Sequence, residues 1–309
     1  MHVLIIGGAG FIGSYLVRHL ERSHQITIVD NLITGHLEGL PRSLQNNVIT
    51  EDIVNVVSET FITPIDAIIH LAAIPSVHHS WQNIISIHHH NLSTTVKVIE
   101  LCQKLSISKV IFASSAAVYG ARDGNDAIAE STPCIPTSPY GLQKLASEQY
   151  LQLFAPRLKL QVIALRLFNV YGNKQQVNSK YSDVVSIFKQ VMEQNKPIMI
   201  YGDGSQQRDF IYVQDVAIAF SQALTVSLDH GSFEAINLGT GQSSSLLDLI
   251  TGLRCNFPQW HGKIQYYPIR SGDIHHSLAN TTKAEQLLNI RPQFSLESGL
   301  AQLGVDSRS

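Results

Sequence analysis

The first strand-like run, Val3–Ile6, leads directly into Gly7, Gly10 and Gly13, spaced G-x-x-G-x-x-G, and then into a helix-like stretch. Glycine here permits a tight turn and a close backbone approach to a ligand. The helix N-terminus that follows offers unpaired N–H groups to a pyrophosphate. Asp30 follows Gly10 by 20 residues, at the end of a second strand-like run. A carboxylate at that point accepts hydrogen bonds from ribose hydroxyls and repels a 2′-phosphate, so the expected cofactor is NAD rather than NADP. Strand, turn, helix and acid in this register require a parallel sheet with the glycine turn at its carboxyl edge.

The rest of the first half agrees. Further apolar runs fall at Ile26–Val29, Ala67–His70, Val110–Ala113 and Val162–Leu167, with helix-like stretches between most of them. Buried β-branched strands alternating with helices imply a sheet covered on both faces. After Tyr171 the rhythm loosens. Helical stretches at Asp183–Gln194 and Val213–Thr225 alternate with short strands at Pro197–Tyr201, Asp209–Ile211, Glu234–Leu238 and Lys263–Tyr267. The expected fold class is α/β: a Rossmann-like, doubly wound parallel sheet with a smaller α+β substrate-binding domain. The expected domains are 1–170 for NAD and 171–309 for substrate, with some strands near 209–238 rejoining the first sheet.

Composition excludes other classes. The 22 Lys and Arg against 24 Asp and Glu leave a formal charge of -2 with no basic run, so nucleic acid is not an expected partner. No apolar run approaches the roughly 18 residues needed to span a bilayer, and the N-terminus lacks the pattern of a signal peptide. Three widely spaced cysteines suit a reducing compartment. A soluble cytoplasmic protein is expected. The 14 histidines include the run His88, His89 and His90. On a helix, consecutive residues point in different directions and cannot share an ion, so no metal site is expected.

Tyr140 and Lys144 form Y-x-x-x-K behind Ser138 and Pro139, a helix start. Spacing of four sets both side chains on one helix face. An ammonium beside a phenol, with the positive helix end nearby, favours the phenolate and so a base usable near neutral pH. Ser115 lies 25 residues upstream, just beyond the strand that ends at Ala113. Strand carboxyl ends are where ligands bind in an open α/β sheet, and a hydroxyl there can relay a proton.

Together GGAGFIGS, VDNLITG, HLAAIPSV, SSAAVYG, SPYGLQK, LRLFNVYG, GDGSQQRDFIYVQDVA, NLGTG and RSGDIHHSLAN resemble, in order, the motifs of extended short-chain dehydrogenases/reductases. The closest branch is the NAD-dependent nucleotide-sugar epimerases of the UDP-glucose/UDP-N-acetylglucosamine 4-epimerase type. The likeness runs from about residue 1 to 290. It implies that Gly7, Gly10, Phe11, Ile12 and Gly13 form the pyrophosphate turn, with Asp30 and Asn31 at the adenosine ribose. Asp52 and Ile53 would flank the adenine, and Leu71 and Ala72 would line the centre of the cofactor. Ser115, Tyr140 and Lys144 would be catalytic, Lys144 also holding the nicotinamide ribose. Asn169, Arg208, Arg270 and Asp273 would hold the UDP-sugar. The resemblance also implies a homodimer through the helices at 81–105 and 140–155, and the first of these carries apolar residues on more than one face.

Related dehydratases keep an acid and a base directly after the serine, and decarboxylating relatives keep a Glu there. Here the positions are Ala116 and Ala117. Without a proton donor or acceptor, elimination lacks its catalyst, and the pattern is that of an epimerase. Where hexose-specific relatives carry a bulky tyrosine, the matching position is Ser277, which leaves room for an N-acetyl group at carbon 2 of the sugar. Pro75 and Asp183 stand where relatives vary. A UDP-glucuronate 4-epimerase is the rival enzyme, and a non-catalytic NAD-binding sensor is the rival of another class.

Overall fold

The strand His2–Ile6 is buried at every residue, and its side chains divide by alternation. Val3 and Ile5 enter one apolar cluster; Leu4 and Ile6 enter a second on the opposite face. That division repeats across the sheet: Ile111 and Ala113 go one way, Val110 and Phe112 the other. A strand that is apolar on both faces can only be satisfied between two layers of helices.

The computed structural model describes residues 1–122, 124–173, 175, 183–269 and 275–303. In chain order the elements are β1 (His2–Ile6), α1 (Phe11–Leu20), β2 (Gln25–Val29), α2 (Arg42–Gln45), β3 (Val48–Ile49), β4 (Ala67–His70), α3 (Val77–Gln82), α4 (Ile84–His88), α5 (Thr94–Leu105), β5 (Lys109–Ser115), α6 (Pro139–Leu158), β6 (Gln161–Leu167) and β7 (Asn169–Tyr171). They continue with α7 (Val184–Glu193), β8 (Ile198–Tyr201), β9 (Gln207–Tyr212), α8 (Val213–Thr225), β10 (Phe233–Leu238), β11 (Ser243–Ser245), α9 (Leu246–Asn256), β12 (Ile264–Tyr267), β13 (His276–Ser277), α10 (Thr282–Leu288) and α11 (Leu296–Gln302).

Seven strands form one parallel sheet in the order β10-β6-β5-β4-β1-β2-β3. Helices α1 and α8 cover one face, and α5 and α6 cover the other. This is a doubly wound, Rossmann-like sheet. The chain moves outward through β2 and β3, then returns to the other side of β1 through β4. The crevice at that switch point, outside the carboxyl ends of β1 and β4, is where such sheets take ligands.

The second half is not a closed unit. Its β10 joins the large sheet beside β6, pairing Phe233 with Val162 and Leu238 with Leu167. β9 does not join it. It centres a small sheet with β7, β11 and β13, and β8 pairs with β12 separately. A third apolar cluster, including Phe188, Met192, Phe210, Leu253 and Trp260, lies under this part. Among the described residues no helix is long and apolar enough to cross a membrane.

Candidate active site

A cleft of about 550 Å³ opens along the carboxyl edge of β1, β2, β4 and β5. The glycine turn is its floor. Gly7 has φ +83, and a Cβ there would stand 2.6 Å from the Ala72 amide nitrogen. A side chain at Gly13 would run into the Gly7 carbonyl oxygen. Gly7 needs glycine because the turn lies against the loop after β4, and Gly13 because α1 starts against the turn itself. This bare backbone cradle, with α1 opening behind it, suits a pyrophosphate. Leu71 and Ala72 donate their amides to the Ile6 carbonyl, at 2.8 and 2.9 Å, and line the middle of the cleft.

Asp30 lines the same cleft and also braces it. Its carboxylate accepts the Ala9 amide at 2.9 Å and the Leu32 amide at 2.9 Å. Burial raises its pKa, and those backbone donors oppose the rise. Asn31 bridges by its amide to Asp52 at 3.3 Å, and Asp52 accepts the Val54 amide at 3.1 Å, capping the short turn at Ile53. Asn31, Asp52 and Ile53 all line the cleft.

One expectation is corrected here. Residues His89–Ser93 form a single π turn, not an α turn. The wider turn brings His89 Nε2 to 3.4 Å and His90 Nδ1 to 3.7 Å from the same Asp52 oxygen. Consecutive histidines therefore do converge, and their ligand atoms and the Asp52 oxygen lie within 4.8 Å of one another. That oxygen already accepts from Asn31 while its partner oxygen holds Val54, so the cluster has the form of a hydrogen-bonded carboxylate on the cleft rim.

At the other end, Ser115 is the last residue of β5 rather than a residue beyond it. Its Oγ accepts the Ala117 amide at 3.2 Å and starts the short 3-10 turn Ala116–Tyr119. Helix α6 begins at Pro139, with Ser138 Oγ accepting the Gly141 amide at 3.1 Å. Tyr140 and Lys144 are both buried and both line the cleft. The Ser115 hydroxyl acts on the Tyr140 phenol, favouring its ionised form against burial. Lys144 Nζ donates to the Ala113 carbonyl at 2.7 Å and sits 4.8 Å over the Phe112 ring.

The charge balance differs from the expected one. Burial raises the Tyr140 pKa above the ordinary phenol value, and the Ser115 hydrogen bond only partly offsets this. Burial also pushes the Lys144 ammonium down to about 7, with the charge of Glu148 opposing. The site is drier than the spacing alone implied, and desolvation outweighs the helix end.

Among substrate candidates, Asn169 starts β7 and pairs with Phe210 of β9. Arg208 lies on β9, donates to the Gln207 carbonyl at 2.8 Å, and is the register partner of Ser277 on β13. Arg270 and Asp273 lie outside the described residues. Pro75 lines the cleft, and Asp183 caps α7 through the Ser186 amide at 2.7 Å. Several residues were missed from the sequence: Thr94 and His90 on the cleft wall, and Glu148 and Arg166 behind Lys144. The spacing Y-x-x-x-K-x-x-x-E, which continues the same helix face by one turn, was the available signal for Glu148.

Residues 3–239 match the model of the NAD dependent epimerase/dehydratase family. The chain belongs to that family. NAD is its cofactor, and the glycine cradle, Asp30 and the bare cleft floor fit it. The UDP-glucose 4-epimerase of Mycolicibacterium smegmatis is 31% identical, over 98% of this chain and 97% of its own length. The UDP-N-acetylglucosamine 4-epimerase of Methanobrevibacter ruminantium M1, solved with UDP-N-acetylmuramic acid, superposes with TM-score 0.90 at 33% identity, covering 100% of this chain and 99% of that one. The UDP-glucuronic acid 4-epimerase of Bacillus cereus, solved with UDP-glucuronic acid and NAD, gives TM-score 0.88 at 29% identity, covering 100% of both chains. The epimerase family thus accounts for the whole length of the fold and for the cleft.

Proposed function

We propose that the protein is a UDP-sugar 4-epimerase that interconverts gluco and galacto configurations through a transient 4-keto sugar. The observation that carries this reading is Tyr140, one turn before Lys144 and lining the switch-point cleft with it, with Ser115 acting on its phenol and Ala116 and Ala117 in the turn that Ser115 opens. Bound NAD supplies the hydride acceptor and later the hydride donor at carbon 4 of the sugar. Tyr140 takes the proton of the 4-hydroxyl, and Ser115 orients that hydroxyl and relays the proton. Lys144 holds its ammonium near the phenol and the nicotinamide ribose. Ala116 and Ala117 offer neither acid nor base, so the keto sugar is not dehydrated. It turns over in the pocket and is reduced from the opposite face, with no net redox change. Exclusion of water protects the intermediate.

Arg208, with Arg270 and Asp273, holds the diphosphate and uridine side; guanidinium groups suit a pyrophosphate because they stay charged and donate in pairs. Ser277, small and in register with Arg208, leaves space for an acetamido group at carbon 2. The substrates are therefore UDP-N-acetylhexosamines, with UDP-glucose and UDP-galactose also accepted. The likeness to an enzyme whose name specifies UDP-N-acetylglucosamine supports this choice. The working unit is a homodimer built on α3–α6.

The test is incubation with UDP-glucose, UDP-N-acetylglucosamine and UDP-glucuronate, with product configuration read by NMR. Inversion at carbon 4 of the first two is expected. Failure on the acetylated sugar alone overturns the pocket reading; failure on all three overturns the function. A Ser277→Tyr variant is expected to lose the acetylated sugar selectively and keep UDP-glucose.

A further inference from the structure

Behind the site lies a buried polar network that the reaction as described does not use. Glu148 is one turn beyond Lys144 on α6 and only 3% exposed. Its carboxylate accepts Arg166 Nε at 3.0 Å and Nη2 at 2.7 Å, and it also accepts the Ser114 hydroxyl. Ser114 and Arg166 are direct register partners on β5 and β6. Arg166 Nη1 reaches the Tyr119 hydroxyl at 2.9 Å, and Tyr119 donates to Asn237 Oδ1 of β10 at 2.7 Å. The network thus spans α6, β5, β6, β10 and the turn that carries Ala116 and Ala117.

A buried ion pair is seldom worth keeping for stability alone, since apolar residues of like volume do as well or better. Two features point to another role. Ser114 is the residue before Ser115, and Glu148 is one turn after Lys144, so their hydrogen bond ties the two elements that carry the site. The charges are also unequal: two buried cations, Lys144 and Arg166, share one carboxylate. The remaining positive charge sits where Tyr140 becomes a phenolate, and ionisation of Tyr140 neutralises the set.

We propose that Glu148 is a positioning residue for the reaction: through Ser114 and Arg166 it fixes the end of β5 against α6, and through its charge it lets Lys144 remain an ammonium in a dry site. This rests on the reading of Tyr140 and Lys144 as the proton-handling pair. Burial pushes Lys144 down to about 7 and Glu148 opposes that push, so loss of the carboxylate charge lowers Lys144 further. The charged and titratable groups that act on this set are His70 of β4, beside Lys144, and Tyr119, Glu130 and Cys134, which surround Arg166 and Glu148. Burial holds His70 neutral down to about 3 and pushes Tyr119 and Cys102 up to about 12. The alkaline limb of the pH–rate profile therefore belongs to the Lys144–Tyr140 pair.

The experiment compares the holoenzyme with E148Q, E148D, S114A and the charge-matched E148Q/R166Q. It reads kcat and KM across pH, with bound NAD content as a check on folding. E148Q is expected to lose about tenfold or more in kcat, with KM little changed and the alkaline limb moved to lower pH. E148D keeps the limb at its parental pH and recovers part of kcat. S114A lowers kcat without moving the limb. E148Q/R166Q removes one charge of each sign, so its limb is expected near the parental pH while kcat falls with the tie to β5; if E148Q does not fold, the kcat of the double variant carries the test. Parental kcat and limb in E148Q, or parental kcat in the double variant, overturn the proposal. So does a lower kcat with an unmoved limb in E148Q, which marks a structural part only. Turnover by Tyr140→Phe at the parental rate overturns instead the reading beneath it.

Discussion

Tyr140 illustrates what residue spacing conveys and what it leaves out. Y-x-x-x-K puts two side chains on one helix face, and both do reach the cleft. The same spacing says nothing of the water they lose, and burial drives the phenol up and the ammonium down. Their working charges thus depend on burial and on neighbours outside the motif, Glu148 for the ammonium and Ser115 for the phenol. Replacing Tyr140 by Phe removes the base but not the ring that fills the site. We expect kcat to fall about 100-fold or more with bound NAD and melting temperature near parental, checked by steady-state turnover and calorimetry. His70 carries a separate consequence. Its ring is wholly buried, with Nε2 3.1 Å from Thr95 Oγ1 and no partner for Nδ1 among the described residues. The unfolded chain protonates this ring near pH 6.5, whereas burial delays protonation in the fold to about 3. Between those values the unfolded chain holds more protons, so stability present above pH 6.5 is lost as pH falls. Urea unfolding should show a slope with pH steeper by up to about 1.4 kcal/mol per unit in the parent than in His70→Gln.

At the level of elements, the glycine turn was legible because its requirements are local. A chain must leave β1, turn and open α1 within a few residues, and only glycine allows it. Gly7→Ala tests this directly. Its Cβ would meet the Ala72 amide at 2.6 Å in a backbone conformation that costs an L residue about 1–2 kcal/mol. The purified variant should carry little NAD and melt below the parent, as read by cofactor content and calorimetry. The parallel strands were legible for the same local reason, since each is apolar on both faces. The π turn at His89–Ser93 was not: a single inserted residue's worth of winding leaves no mark in a histidine run, yet two successive imidazoles there meet one carboxylate oxygen. The small sheet was only half legible. Its centre is Asp209, whose carboxylate gathers the Thr240 amide at 2.7 Å, the Gly241 amide at 3.0 Å and the Ala279 amide at 3.1 Å. Asp209 and those partners lie in three separated motifs, and no periodicity links them. The motif set GDGSQQRDFI, NLGTG and SLAN marks them individually, while their junction appears only in the fold.

For the whole molecule, the two helical layers are unequal. The layer of α1 and α8 is backed by α10 and the second half of the chain. The layer of α5 and α6 packs inward on the sheet, but its outer side carries Ile85 at 88% exposure, Leu153 at 70% and Leu142 at 58%, with Trp81, Val96 and Tyr150 also exposed. Isolated apolar residues on a surface need no explanation, but a set this large on adjoining helices does. The apolar character of the 81–105 segment was visible in the sequence, and the structure divides it into an inner face, with Val98, Ile99 and Leu101 buried, and an outer one. A twofold partner that sets the same helices against each other would cover the outer face at one stroke. It would also clamp α6, the helix that carries Tyr140, Lys144 and Glu148, so the dimer would support the site without lending it a residue. Sedimentation should therefore give a dimer for the parent. The pair Ile85→Glu with Leu153→Glu should shift it to monomer, because two carboxylates would have to be desolvated in the contact. The fold should survive, since both side chains face away from the core, while kcat should fall through loss of the clamp on α6. A parent that sediments as a monomer at the concentrations used for turnover would remove this account, and a monomeric variant with parental kcat would leave the dimer but not the clamp.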